Sequence, residues 1–134
     1  MNLLNTPLFL WLQVVLWCAI IFTLSHIPSL RIEAFGIWDF FLRKLAHITE
    51  FGILFGLIYR ALKRSTKWYN QHNLSRLLFW SAFLSFIYAV SDEFHQLFIP
   101  GRTPAVLDVL IDSTGILIMF VIIKFRAIGL EGKK

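Results

Sequence analysis

Long apolar runs alternate with short polar connections along this chain, and four of the runs approach the length of a bilayer. A helix rises 1.5 Å per residue, so about 20 apolar residues cross the hydrocarbon core. The first run, 7–24, holds a single polar residue, Gln13. Ser25, His26 and Pro28 follow it, and proline cannot continue a helix. No basic segment precedes this run and SHIPSL is a poor cleavage site, so a retained helix is expected rather than a signal peptide. The second run, 44–60, enters with Lys44, His47 and Glu50 just after Arg43, then is apolar over 51–59. Its Gly52 and Gly56 form a GxxxG spacing that permits close helix contact. The third run, 77–93, begins with fourteen uncharged residues, LLFWSAFLSFIYAV. A polar hinge, SDEFHQLFIPGR at 91–102, joins it to the fourth, 104–123, whose only charges are Asp108 and Asp112. Thr103 and Pro104 suit the N-cap and first position of that fourth helix.

The pattern predicts an all-α fold: an integral membrane bundle of four transmembrane helices in one domain, 1–134. The first connection, 26–43, has room for an interfacial segment at 32–41, where Trp38, Phe40 and Phe41 suit the headgroup region. There is no internal repeat, low-complexity tract or domain linker.

Composition agrees. The chain is 57% hydrophobic and 16% charged, with 14 Phe and 5 Trp in 134 residues. Soluble domains carry about a quarter charged residues, and one this short would struggle to bury so many large apolar side chains. Cys18 is the single cysteine, which excludes an intramolecular disulfide and a thiolate zinc cluster. Its apolar surroundings mark it as a packing residue.

Charge placement sets the expected orientation. Residues 60–76 hold five cations and no acid, and the tail from 124 onward is basic again. With four spans these two stretches share a face, and the positive-inside rule assigns that face to the cytoplasm. Both termini are then cytoplasmic. The polar residues gather at the outer leaflet of the plasma membrane. A basic loop also suits anionic lipid or nucleic acid; the loop-charge rule is preferred, and no nucleic-acid partner is expected.

Ionisable groups within a membrane are costly and are read as functional by default. In the third helix, Ser85, Tyr88, Ser91, Asp92, His95 and Gln96 form a polar stripe at helical period. Lipid cannot satisfy that stripe, so it should face the bundle interior while Phe79, Phe83 and Phe86 face lipid. Glu93 is expected on its flank. Lys44, His47 and Glu50 share one broad face of the second helix, and Asp108 and Asp112 share a face of the fourth. Carboxylates beside histidine suit general acid–base work, which makes Asp92, Glu93 and His47 the catalytic candidates. Lys44, Arg102 and the amides opening the fourth helix suit a phosphate. Tyr88, Gln96, Asp108 and Asp112 complete the ligand-binding candidates. His47, Asp92, His95 and Asp108 are metal-capable, but no dedicated metal motif appears, and neither metal nor cofactor is expected. The plainer reading is that acids and bases neutralise one another and fasten the helices. His26 is expected to be a loop or interface residue, and Phe94 and Phe98 packing or interfacial aromatics.

At KLAHITEFGIL, 44–54, at YAVSDEFHQLFIPGR, 88–102, and at Asp108, Asp112 and Gly115, the chain resembles the VanZ-like family of small bacterial membrane proteins. Lys44, His47, Asp92, Glu93, Gln96, Phe98, Pro100, Gly101, Arg102, Asp108 and Gly115 match its pattern. Asp112 stands where that pattern usually has Asn. The family's namesake is linked to reduced susceptibility to teicoplanin, a lipoglycopeptide antibiotic acting at the cell surface. The resemblance thus implies a cell-envelope setting. The expected partner is a membrane lipid, a lipid-linked cell-wall precursor or a lipoglycopeptide, recognised or modified at the outer leaflet. Whether a reaction is catalysed stays open. The alternative is a structural or partner subunit whose polar cluster only stabilises helix packing.

Overall fold

The computed structural model describes residues 5–26, 37–65, 73–100 and 106–131. Four helices account for these: α1 (Pro7–His26), α2 (Ile37–Ser65), α3 (Leu74–Gln96) and α4 (Val106–Glu131). No strand occurs among the described residues, and the all-α expectation holds. Each helix contains a stretch long and apolar enough to cross a membrane: Pro7–His26, Phe41–Ser65, Leu74–Gln96 and Val106–Gly129.

The helices outrun the apolar runs. α2 already begins at Ile37, so residues 37–41 of the expected interfacial segment open this helix, and it continues through Arg60, Ala61, Leu62, Lys63 and Arg64. These are all strong helix formers, and hydrogen bonding along the backbone does not stop where hydrophobicity does. α1 starts at a local cap: the Thr6 hydroxyl accepts from the Phe9 amide (3.4 Å) and the Thr6 carbonyl from the Leu10 amide (3.1 Å). α3 ends in tightened turns, with the amides of Leu97, Phe98 and Ile99 donating to the carbonyls of Phe94, His95 and Gln96.

α2 is the centre of the bundle. It packs on all three other helices, most extensively on α4. The core is built from Phe51, Leu54, Phe55 and Ile58 of α2, with Leu10, Val14 and Ile21 of α1, Leu77, Leu78 and Ala89 of α3 and Ile116 of α4. Small residues let α2 and α4 approach closely. A Cβ added at Gly52 would lie 3.3 Å from the Gly115 carbonyl oxygen, and Gly56 faces Met119. The GxxxG of α2 is thus in use. Two buried serines of α3, Ser81 and Ser85, donate to the carbonyls one turn back, Leu77 and Ser81. Phe79, Phe83 and Phe86 are exposed, as expected of a lipid-facing side.

Adjacent helices alternate in direction, so the chain's charges separate. Arg60, Lys63 and Arg64 of α2, Arg76 of α3 and Lys124 and Arg126 of α4 stand at one end. Lys44, His47, Glu50, Asp92, Glu93, Asp108 and Asp112 stand at the other.

Candidate functional site

The C-terminal ends of α1 and α3 meet the N-terminal ends of α2 and α4, and this end of the bundle holds the polar side chains. Its centre is Asp92, 3% exposed. The Ser25 hydroxyl of α1 donates to Asp92 Oδ2 (2.8 Å), and Gln96 Nε2, one turn along α3, donates to the same oxygen (2.9 Å). Glu93 is also buried. Tyr88 lies one turn deeper; its hydroxyl donates to the Cys18 carbonyl of α1 (2.6 Å), which clasps α1 to α3.

α2 and α4 run parallel, and their polar residues pair in register. Lys44 forms an ion pair with Asp108, both partly exposed. One turn further in, His47 Nδ1 meets Asp112 Oδ1 at 3.1 Å, and Asp112 is fully buried. Asp108 lies in the first turn of α4, where the helix dipole favours a negative charge. The two halves of the cluster are not isolated: Asp92 lies within electrostatic reach of both His47 and Asp112. Asp92, His47, Asp108 and Asp112, expected together from the sequence, therefore converge.

One expectation needs correction. Ser91 does not face the interior; it is exposed and its hydroxyl donates back to the Tyr88 carbonyl (2.9 Å). Lys44 is already engaged by Asp108, so a phosphate would have to compete for it. Glu50 stays within electrostatic reach of His47 and lines a cavity of about 370 Å³ together with Trp17 and Ile53. Trp17 Nε1 donates to the Glu50 carbonyl (2.9 Å). His95 is half-buried and stacks against both Phe22 (ring centroids 4.2 Å) and His26 (5.4 Å) of α1. Phe94 and Phe98 are exposed and meet edge to face. Arg102, with Thr103 and Pro104, lies outside the described residues.

Ser25 was legible only as a helix terminator. A signal was present nonetheless: it lies seven residues, two turns, beyond Cys18, on the side of α1 that meets Tyr88.

Two acceptors stand out. Asp92 Oδ1 and Asp112 Oδ2 are buried and, among the described residues, have no hydrogen-bond partner. An unmet buried carboxylate oxygen is costly, and more so where bulk water is excluded. Both oxygens are acceptors for a hydroxyl or amino donor. Among the described residues no group of three or more His, Cys, Asp or Glu side chains is arranged to hold a metal ion.

The family model VanZ/LLP1 matches residues 9–127, nearly the whole chain. No curated protein and no solved structure matches it.

Proposed function

The chain belongs to the VanZ/LLP1 family, and we propose that this membrane protein recognises the headgroup of a lipid-linked or amphipathic ligand at the extracytoplasmic leaflet. One observation carries the reading: Asp92 and Asp112, on facing helices, each keep a buried carboxylate oxygen with no hydrogen-bond partner among the described residues. A ligand bearing hydroxyl or amino groups supplies the missing donors. Sugar, peptide and aminoalcohol headgroups have them, and so do cell-wall precursors and lipoglycopeptides such as teicoplanin. His47, bonded to Asp112, is placed to exchange a proton if the ligand is modified, with Asp92 and Glu93 as the nearby carboxyl groups. The extracytoplasmic assignment rests on the opposite, basic end of the bundle and the positive-inside rule.

A second reading has its own support. Lys44–Asp108, His47–Asp112 and Ser25–Asp92 each bridge two helices, as fastening contacts would. Asp92→Asn and Asp112→Asn separate the two. Each variant is purified for thermal melting in detergent and, in parallel, cells carrying it are grown under teicoplanin. The ligand reading expects near-native melting with loss of any protective phenotype. If protection falls only in step with melting, the cluster is a fastener and the ligand reading fails.

A further inference from the structure

At the opposite end of the bundle, Arg60, Lys63 and Arg64 of α2 surround a cavity of about 350 Å³ that Asn5 and Leu10 complete. We propose that this cavity binds the phosphate of an anionic phospholipid headgroup from the leaflet at the basic end. The site is separate from the polar cluster around Asp92.

The helical spacing explains the convergence. Positions 60, 63 and 64 follow i, i+3, i+4 and so lie on one side of α2. Arg64 is held in place: its Nε donates to the Asn5 carbonyl (3.2 Å). Lys63 sits over the Tyr59 ring, 5.8 Å from the centroid. Asn5 and the Thr6 cap mark the start of α1, so the cavity is at the positive end of a 20-residue helix dipole. Three cations and a helix N-terminus thus act together, and no acid is among the described lining residues. Arginine presents a planar fork that matches phosphate oxygens, and lysine adds a point charge.

The surroundings favour a lipid over a free anion. Leu10, a core residue, forms an apolar wall, and the outer side of the same helix carries exposed Leu8 and Leu12. Trp11, whose Nε1 donates to Ser65 (2.9 Å), has the position of an interfacial aromatic. Acyl chains would lie on the apolar flank of the helices while the phosphate enters the cavity. Basic pockets between membrane helices on the cytoplasmic side are suited to such headgroups. The volume is within the range of small-ligand pockets, which begin at about 300 Å³.

The test uses the whole protein in a neutral detergent. Thermal melting is followed on adding phosphatidylglycerol, phosphatidylcholine, or soluble glycerol phosphate. A bound ligand raises the melting temperature by mass action. The proposal expects a rise with phosphatidylglycerol, and little with phosphatidylcholine or glycerol phosphate. An Arg60→Gln, Arg64→Gln double variant should lose the rise. An Arg76→Gln, Lys124→Gln double variant, with equal charge removed at the same end, should keep it. Equal loss in both would mean diffuse attraction to a basic face, and an equal rise with glycerol phosphate would mean a free-anion site; either overturns the proposal. If the cavity variant does not fold, native mass spectrometry of the unaltered protein decides. Preferential retention of phosphatidylglycerol over phosphatidylcholine at equal mole fraction, reduced by Arg60→Gln alone, supports the site. Retention without preference overturns it.

Discussion

Gly115 of α4 rests directly on the main-chain carbonyl of Ile48 in α2, so closely that a methyl group at 115 would overlap the oxygen. The same methyl would lie 3.1 Å from the Gly52 amide nitrogen. This contact holds α2 and α4 at the separation where Lys44 reaches Asp108 and His47 reaches Asp112.

Gly115→Ala should therefore be the most harmful substitution among the described glycines. The obstacle is backbone, which cannot rotate aside, so the loss should be at or above the usual 1–3 kcal/mol of overpacking. Gly52→Ala meets a contact of 3.3 Å and should cost less. Gly129→Ala meets nothing within 4 Å and should be neutral or stabilising by up to about 1 kcal/mol, since alanine is the better helix former. Detergent melting of the three variants checks the order.

Stranding Asp112 should cost more than stranding Asp108. Asp112 is fully buried, whereas the side chains of Lys44 and Asp108 are 23% and 24% exposed. Breaking a buried pair on one side costs about 3–5 kcal/mol, and an exposed pair much less. His47→Phe should thus melt lower than Lys44→Met. Adding Asp112→Asn to His47→Phe should recover part of the loss, and a double-mutant cycle measures that coupling.

Ser25→Ala removes one of the two donors to Asp92 Oδ2 without touching a charge. A stability loss of about 1–3 kcal/mol is expected, the usual penalty for a buried acceptor losing its donor. Thr23→Ala is the comparison. That hydroxyl is exposed and bonds back to the Ala19 carbonyl, so melting should barely change. Equal effects would mean that the Ser25–Asp92 bond contributes little.

Orientation can be read by labelling. With Cys18 replaced by Ala, a cysteine at position 70 should resist a membrane-impermeant thiol reagent in intact cells, while one at position 32 should react. The reverse pattern would place the Asp92 cluster on the cytoplasmic side.

Much of this architecture was legible in the sequence because a bilayer imposes simple rules. A helix must satisfy its own backbone, and its apolar length must match the hydrocarbon thickness, so four apolar runs became four helices. Alternating direction then brought Lys44, His47, Asp92, Asp108 and Asp112 to one end, as their places along each run implied. The spacings 44–47 and 108–112 each advance about one turn, which is why parallel α2 and α4 pair them in order. What periodicity lacks is the identity of the neighbour. Ser91 and Glu93 stand about 100° to either side of Asp92, and the polar stripe favoured Ser91 as the interior position with Glu93 on its flank. Only the placement of the other helices turned Glu93 inward and left Ser91 exposed. The glycine spacing of α2 signalled a close approach, but not that Gly115 would be the surface approached. Ser25 became a partner of Asp92 only when α1 and α3 came side by side. Helical period fixes a direction around one axis, and which side chain waits in that direction is decided by packing among helices far apart in the chain.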